Sequence, residues 1–88
     1  MAQGAVNTGV KYKDFTISSF NLAANTGTYK AVYTTLKDRI ISITCFCDKW
    51  QINVVPHGIY ADNVEIYYYN RTSSAVNSIG SSVRIAYI

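Results

Sequence analysis

The feature that most constrains this chain is the alternation of apolar and polar residues within short runs across residues 39–88. In Ser82–Ile88, the side chains of Val83, Ile85 and Tyr87 fall on one face of an extended chain. The run Val64–Asn70 alternates in the same way. A period of two residues is that of a β-strand with one buried face, so the sequence predicts a compact β domain.

Strand-like runs of this kind recur along the whole chain, separated by turn residues such as those of Asn25–Gly27. Pro56–Gly58 is predicted to end a strand, because proline cannot donate to a ladder. The spacing, about 8 to 12 residues, predicts an all-β fold, an antiparallel β-sandwich or jelly roll of six to seven short strands without a convincing helix. The predicted strands are Lys13–Ser18, Thr28–Thr34, Arg39–Cys47, Trp50–Val54, Val64–Asn70 and Ser82–Ile88, with Val76 and Ile79 in an additional short edge segment.

The length of 88 residues allows one domain. Residues 1–11 contain Gly4 and Gly9 with little periodicity, so we expect a flexible or linking N-terminal arm there. Residues 12–88 are then a single β-sandwich domain. Since a domain of this size buries only about 60% of the surface of its unfolded chain, we expect oligomerisation to add burial.

The composition favours a folded protein with a largely neutral surface. Hydrophobic residues make up 49% of the chain and charged residues only 15%, which is far from a disordered profile. Ser, Thr, Asn and Tyr supply most of the polar groups, and such surfaces suit sugars or other protein chains. The net charge of +3 comes from basic residues spread singly, so we do not expect nucleic acid as a partner. No apolar run approaches the ~20 residues of a membrane span.

Catalytic and metal-binding patterns are absent from the sequence. Cys45 and Cys47 lie two residues apart on one predicted strand face, where we expect two small buried apolar side chains. Metal binding would need further ligands, and His57 is the single histidine. No Ser-His-Asp set or glycine-rich phosphate loop appears. We therefore expect no enzyme activity, no cofactor and no metal.

Part of the chain resembles a known class of viral protein. The Ile-Ser-Ile-Thr of the Arg39–Cys47 run, Trp50–Val54, Asp62–Asn70 and the closing Ser82–Ile88 are similar to the C-terminal β-sandwich tips of bacteriophage tail fibres. A similar strand plan occurs in H-type lectins. The resemblance covers residues 39–88 and rests on pattern.

The resemblance implies a non-enzymatic, receptor-binding module. Such tips are commonly homotrimers that recognise a host surface glycan or protein, so we expect a homo-oligomer, with a trimer favoured. The expected location is the virion, in the phage tail, after synthesis in the host cytoplasm, or otherwise the cytoplasm. Two alternatives remain open: a purely structural phage assembly or trimerisation protein, and a small phage-encoded inhibitor of a host protein.

Tyr67 and Tyr69 are the strongest candidates for a contact surface. If Val64, Ile66 and Tyr68 point into the core, the two phenols stand on the opposite face beside Glu65. An exposed aromatic strip in a small domain marks a contact surface, either for a ligand or for another subunit.

The predicted turns supply further candidate ligand or interface residues: His57, Tyr60, Asp62, Asn63 and Arg71. The ring of His57 could hydrogen-bond a ligand or titrate near neutral pH, or it could be a solvated loop residue. Asp62 and Asn63 offer groups that sugar hydroxyls prefer, but most simply start a turn. Arg71 and Arg84 could pair with Glu65 or with an adjacent chain. Trp50, at a strand start, is expected to be a core anchor rather than a sugar platform.

Overall fold

The structure is a computed structural model that describes residues 9–88. Most of the predicted N-terminal arm, residues 1–8, lies outside the described residues, and the first strand begins at Lys11. Among the residues that the structure describes, no helix has the length and apolar composition to cross a membrane. The elements are β1 (Lys11–Leu22), β2 (Gly27–Tyr33), a 3-10 turn (Lys37–Arg39), β3 (Ile40–Cys47), β4 (Ile52–Ile59), β5 (Asn63–Asn70) and β6 (Val76–Tyr87).

The six strands form two antiparallel three-stranded sheets that pack face to face. The first sheet has the order β1-β6-β3 and the second the order β2-β5-β4, so β6 and β5 are the central strands. Across the sandwich β1 contacts β2, and β3 contacts β4. The predicted all-β antiparallel fold is therefore confirmed, in the form of a small β-sandwich.

The core lies between the two sheets and follows the predicted alternation. On β5, Val64, Ile66 and Tyr68 are buried while Glu65 and Tyr67 face outward, which confirms the predicted facing of this strand. Each buried aliphatic side chain contributes roughly 1.5–3 kcal/mol relative to an exposed one. The buried apolar cluster consists of Ile17, Leu22, Val32, Leu36, Ile52, Val64, Ile66, Tyr68, Val76, Ile79, Val83 and Ile85.

Several predicted strand limits are wrong. β1, predicted as Lys13–Ser18, runs from Lys11 to Leu22. β4 continues through Pro56 to Ile59 instead of ending there, because β4 is an edge strand on which a missing N–H need not leave a ladder partner unpaired. Val76 and Ile79 form no separate edge segment. They belong to β6, a strand of 12 residues that pairs with both β1 and β3 and is therefore the central strand of the first sheet.

Trp50 is not a core anchor. Its side chain is 74% exposed, because the chain makes a turn before β4 that is closed by a hydrogen bond from the amide of Ile52 to the carbonyl of Lys49. The alternation predicted from Trp50 onward therefore starts only at Ile52.

Strict alternation along β3 predicts that Ile41 shares a face with Cys45 and Cys47, and a bulge at the start of the strand makes this prediction wrong. The register shifts between Ile40 and Ser42, so Ile41 is 54% exposed and Ile40 takes the core-facing position. Beyond the bulge, Cys45 and Cys47 face the core as predicted, with free thiols. Burial raises the pKa of the Cys45 thiol, which disfavours the reactive thiolate.

A chain of hydroxyl groups links the two sheets through the core. The hydroxyl of Ser81 donates to the carbonyl of Phe46 at 2.6 Å, and the phenol of Tyr68 lies 2.7 Å from the same Ser81 oxygen. Since the single hydroxyl proton of Ser81 is used by the carbonyl, Tyr68 is the donor to Ser81. The bond joins β5 of one sheet to β6 of the other.

Asn70, the last residue of β5, is fully buried and holds the loops at one end of the sandwich. Its Nδ2 donates to the carbonyls of Leu22, Ala23 and Ser74 at 3.3, 3.2 and 2.8 Å. Its Oδ1 accepts from the amide and hydroxyl of Thr72 at 3.0 and 2.7 Å. One amide side chain therefore satisfies backbone groups from two separate chain segments.

Candidate functional site

Four aromatic rings form a continuous row across the outer face of the second sheet. We call this set, His57, Tyr29, Tyr67 and Tyr69, the ring row. The centre of the Tyr29 ring lies 4.8 Å from that of His57 and 4.8 Å from that of Tyr67, with interplanar angles of 58° and 45°. Tyr67 and Tyr69 are stacked at 6.5 Å with an angle of 22°. The row therefore draws a residue from each of the three strands.

The strand register explains how the rings meet. Tyr29 on β2 is directly opposite Tyr67 on β5, and residues opposed in an antiparallel pair point to the same face. A bulge between Pro56 and Gly58 makes His57 the extra residue of β4 beside Glu65. The ring of Tyr29 therefore reaches across the central strand to His57.

Two glycines allow tyrosine rings to lie against the backbone. A Cβ atom at Gly27 would come within 2.6 Å of Cζ of Tyr67, and one at Gly58 would come within 2.7 Å of Cζ of Tyr60. The ring of Tyr67 thus occupies the space that a side chain on β2 would take. This contact makes the position of Tyr67 depend on a glycine in a neighbouring strand.

The outer face of the second sheet is nearly uncharged. Within the described residues, the only possible ion pair on this face is between Nε2 of His57 and Oε1 of Glu65, which lie 3.9 Å apart. Both side chains are partly exposed. Such a pair, when the imidazole is protonated, contributes roughly 0–1 kcal/mol. The remaining outward positions on the edge strands are neutral, and they include Asn53 and Val55 of β4.

Tyr60, Asp62 and Asn63 form the turn between β4 and β5. The amide of Tyr60 donates to the carbonyl of Asn63 at 2.8 Å, and Nδ2 of Asn63 donates to Oδ1 of Asp62 at 2.7 Å. The turn predicted at this position is therefore present. Within residues 9–88, no group of three or more His, Cys, Asp or Glu side chains is placed to hold a metal ion.

The structure does not pair Arg71 or Arg84 with Glu65. Nη2 of Arg71 donates to the carbonyl of Trp50 at 2.8 Å, and its guanidinium lies 5.9 Å from the centre of the Trp50 ring. Arg84 instead forms two hydrogen bonds with Asp14, at 2.7 and 3.0 Å. Of the two alternatives predicted for these arginines, pairing with Glu65 is therefore wrong, and pairing with an adjacent chain stays a prediction.

The outer face of the first sheet has a different character. The guanidinium of Arg84 lies over the ring of Tyr12 at 5.4 Å and holds the pKa of Asp14 below its usual range by hydrogen bonding. Two open cavities, of about 420 and 300 Å³, flank the exposed ring of Phe46 and are bordered by Ser82. This face therefore carries charge and hydroxyl groups rather than a cluster of rings.

Tyr29 is the residue of the ring row that the sequence alone did not identify. It lies in a predicted strand and is 50% exposed. Alternation shows that Tyr29 and Tyr33 share a face, but it does not show which strand lies beside them. Tyr29 becomes a site residue only because β2 pairs with β5.

No family model, curated protein or solved structure matches the chain. The chemistry and geometry of the residues themselves therefore identify the candidate site. On those grounds, the ring row is the candidate functional site, with Glu65 at its side.

Proposed function

We propose that this chain is a non-enzymatic binding module of the phage tail-fibre tip type, which recognises a glycan on a host cell surface through the ring row. The observation that carries the proposal is the continuity of the four rings, with centres 4.8 to 6.5 Å apart across three hydrogen-bonded strands. A sheet holds such rings more rigidly than loops do. The rings therefore form a preorganised platform.

The chemistry of the platform suits a sugar. A pyranose has apolar C–H faces and a rim of hydroxyl groups, and tyrosine offers a flat apolar ring with a polar tip. Glu65 and His57 at one end of the row, and Asn53 opposite Tyr69, supply acceptors and donors for sugar hydroxyls. The low charge of the face favours a neutral ligand over a nucleic acid.

A single platform of this size predicts weak binding. The rings lie on an open sheet face, whereas tight small-molecule sites bury 70–90% or more of their ligand, a general figure of that order. Linked sites in an oligomer would raise avidity by roughly 10² to 10⁴. A homo-oligomer carried on a phage tail is therefore part of the proposal.

A structural role in phage assembly is the second candidate. Large exposed apolar side chains on the same face favour it, since Tyr33 is 74% exposed and Val55 50% exposed. In that case the rings would be covered by another protein chain of the particle rather than by a sugar.

A glycan array with matched variants tests the proposal. The intact chain should bind a subset of bacterial-surface or mucin glycans, and Tyr29→Ser should weaken that binding about fivefold or more, as expected for a central contact residue. Tyr33→Ser is the control, because Tyr33 lies on the same strand and face but outside the ring row.

Two results would contradict glycan binding through the ring row. The first is no signal on the array from protein that is shown to be folded. The second is an equal loss of binding in Tyr29→Ser and Tyr33→Ser. Retention of a protein partner with no glycan signal would favour the assembly role.

A further inference from the structure

Within residues 9–88, four strands of the sandwich have a free edge: β1 and β3 in the first sheet, and β2 and β4 in the second. A free edge presents backbone N–H and C=O groups that another strand can pair with. Natural proteins block such edges with lysine, proline, bulges or charges that point inward.

Two of the four edges carry an inward-pointing lysine. Lys13 on β1 is opposite the buried Ile85, and Lys30 on β2 is opposite the buried Ile66, so both lie at core-facing positions. The ammonium of Lys30 lies 4.6 Å from the ring centre of Phe20. A strand that paired with β1 or β2 would have to cover these charges, which disfavours pairing there.

The edge of β4 is blocked in a different way. Pro56 lies in the middle of the strand and has no N–H, and the bulge at His57 interrupts the register next to it. A neighbouring strand could not follow β4 over its full length. Three of the four edges are therefore protected.

Over most of its length, β3 has no inward-pointing lysine, no proline and no bulge to block its edge. Ile40–Cys47 contains no charged residue and no proline. Its bulge lies at the first residues, and the pairing with β6 is regular from Ser42 to Cys47. Cys45 and Cys47 face the core but are only half-buried. They therefore leave apolar surface exposed along this edge of the sandwich.

We propose that β3 pairs antiparallel with β3 of a second copy of this chain, which joins two first sheets into one sheet of the order β1-β6-β3-β3-β6-β1. A strand without charge can pair with itself free of like-charge repulsion. A two-fold axis lets each copy satisfy the free backbone groups of the other with the same surface. The pairing also adds burial to a small domain.

Strand geometry restricts the register. Residues opposed across an antiparallel pair point to the same face, so the two-fold axis passes through a residue position. Within the regular segment 42–47, Thr44 is then opposite Thr44 of the second copy, or Cys45 is opposite Cys45 of the second copy.

The pairing has a consequence for binding, which rests on the proposed function. The two-fold axis is perpendicular to the joined sheet, so the outer faces of the two second sheets point to the same side of the dimer. Both ring rows would then face one cell surface and bind it bivalently. The pairing itself does not depend on any ligand.

Light scattering and amide hydrogen exchange on the intact chain test the dimer without a ligand. We expect the mass of a dimer, twice 9.8 kDa, which falls towards that of one chain on dilution because the dimer dissociates. Amides of residues 42–47 that point to the free edge should exchange more slowly as concentration rises. Edge-facing amides of Lys11–Ile17 in β1 should not respond.

A matched pair of variants locates the interface. Thr44→Glu and Thr16→Glu each add a carboxylate to the exposed outer face of the first sheet, the first on β3 and the second on β1. On the central strand β6, Thr44 is opposite Arg84 and Thr16 is opposite Ser82. Thr44→Glu should raise the dimer dissociation constant about fivefold or more, because the two added carboxylates then lie directly opposite each other or, with Cys45 opposite Cys45, on the diagonal of the strand pair. Thr16→Glu should leave it unchanged.

Any of three results would overturn the pairing. They are a mass of one chain at every concentration, a mass of three chains, or a dimer that responds equally to the two variants. Concentration-independent exchange in residues 42–47 of the unmodified chain would overturn it even if Thr44→Glu failed to fold. A dimer without glycan binding would contradict the proposed function and leave the pairing intact.

Discussion

β5 and β6 are the central strands of the two sheets, and they differ most on their outer faces. Facing the core, β5 presents Val64 and Ile66, and β6 presents Val83 and Ile85, all of them buried. On their outer faces, β5 carries the stacked pair Tyr67 and Tyr69, whereas β6 carries Ser82, Arg84 and Ala86.

The difference shows which positions the fold constrains. Inward positions on both strands are mostly apolar, because they fill the same core, and the buried polar residues Asn70 and Ser81 have hydrogen-bond partners there. Outward positions are free of that requirement, and hydroxyl or charged residues as on β6 would serve the fold equally well. Rings placed outward on β5 are therefore best explained by contact with something else.

The largest expected effect lies on the inner side of β5. Asn70→Ala removes five hydrogen bonds and leaves buried backbone groups unpaired, so we expect a loss of about 2–4 kcal/mol in the free energy of unfolding, measured by urea denaturation. Asn53→Ala, at an exposed position of β4, is the control and should change stability by about 0.5 kcal/mol or less. Equal effects would mean that Asn70 does not hold the loops.

The next effect tests the link between β5 and β6. Tyr68→Phe removes the donor to Ser81 and should cost about 1 kcal/mol, while Ser81→Ala should cost roughly 1–3 kcal/mol because it leaves the buried phenol of Tyr68 unpaired. The double variant should cost less than the sum of the two. Additive costs would show that the two hydroxyls are not coupled.

The same residue predicts a loss of stability at alkaline pH. Burial raises the pKa of Tyr68 above the ordinary value of 10.0. The stabilisation that the protonated phenol gives the folded state is therefore fully present below pH 10, and it is lost as the pH rises through the folded-state pKa. Tyr68→Phe should have a flatter stability profile above pH 10, measured by urea denaturation. An unchanged profile would show that Tyr68 does not titrate with unfolding.

A smaller effect on stability, with a clear effect on binding, is expected at the outer face of β5. Gly27→Ala places a Cβ where the ring of Tyr67 lies and should displace that ring. Unfolding free energy should change by about 1 kcal/mol or less, while the NMR shifts of the Tyr67 ring move and glycan affinity falls. Gly9→Ala, whose Cβ would meet nothing within 4 Å, is the control. Unchanged Tyr67 shifts would show that the ring does not depend on Gly27.

The smallest effect is expected on the outer face of β6. Hydrogen bonding from Arg84 lowers the pKa of Asp14 below the ordinary 3.8. The stabilisation that the Asp14 carboxylate gives the folded state is therefore present above pH 3.8, and it is lost as the pH falls through the folded-state pKa. Asp14→Asn should remove a slight, salt-sensitive part of the stability and leave glycan binding unchanged. A loss of glycan binding would move the site to the first sheet.

Much of the strand pattern could be predicted from the sequence. Val64–Asn70 alternates so regularly that its inward and outward residues follow from the period alone. The continuation of β4 past Pro56 could not be predicted in this way, because a proline is tolerated only if its strand lies at an edge. Strand order, which decides that point, is a property of the whole sheet.

The candidate site was predictable in part for the same reason. Tyr67 and Tyr69 follow from the alternation of one strand, and His57 from its loop-like context. Tyr29 did not, since its nearness to Tyr67 depends on pairing between β2 and β5. The exposure of Trp50 was missed because a turn, rather than the strand period, sets the direction of its side chain.

The sequence by itself determined that the chain forms strands, which faces of β5 and β6 point inward, and that Cys45 and Cys47 lie on a core-facing side. Side-chain period is a local property of the chain, so these features need no knowledge of the neighbours. Only the tertiary structure decided the strand order, the bulges at Ile41 and His57, the ring row and the unprotected edge of β3. Each of these depends on which strands become neighbours, and pairing between distant segments is set by the energy of the whole packed sandwich.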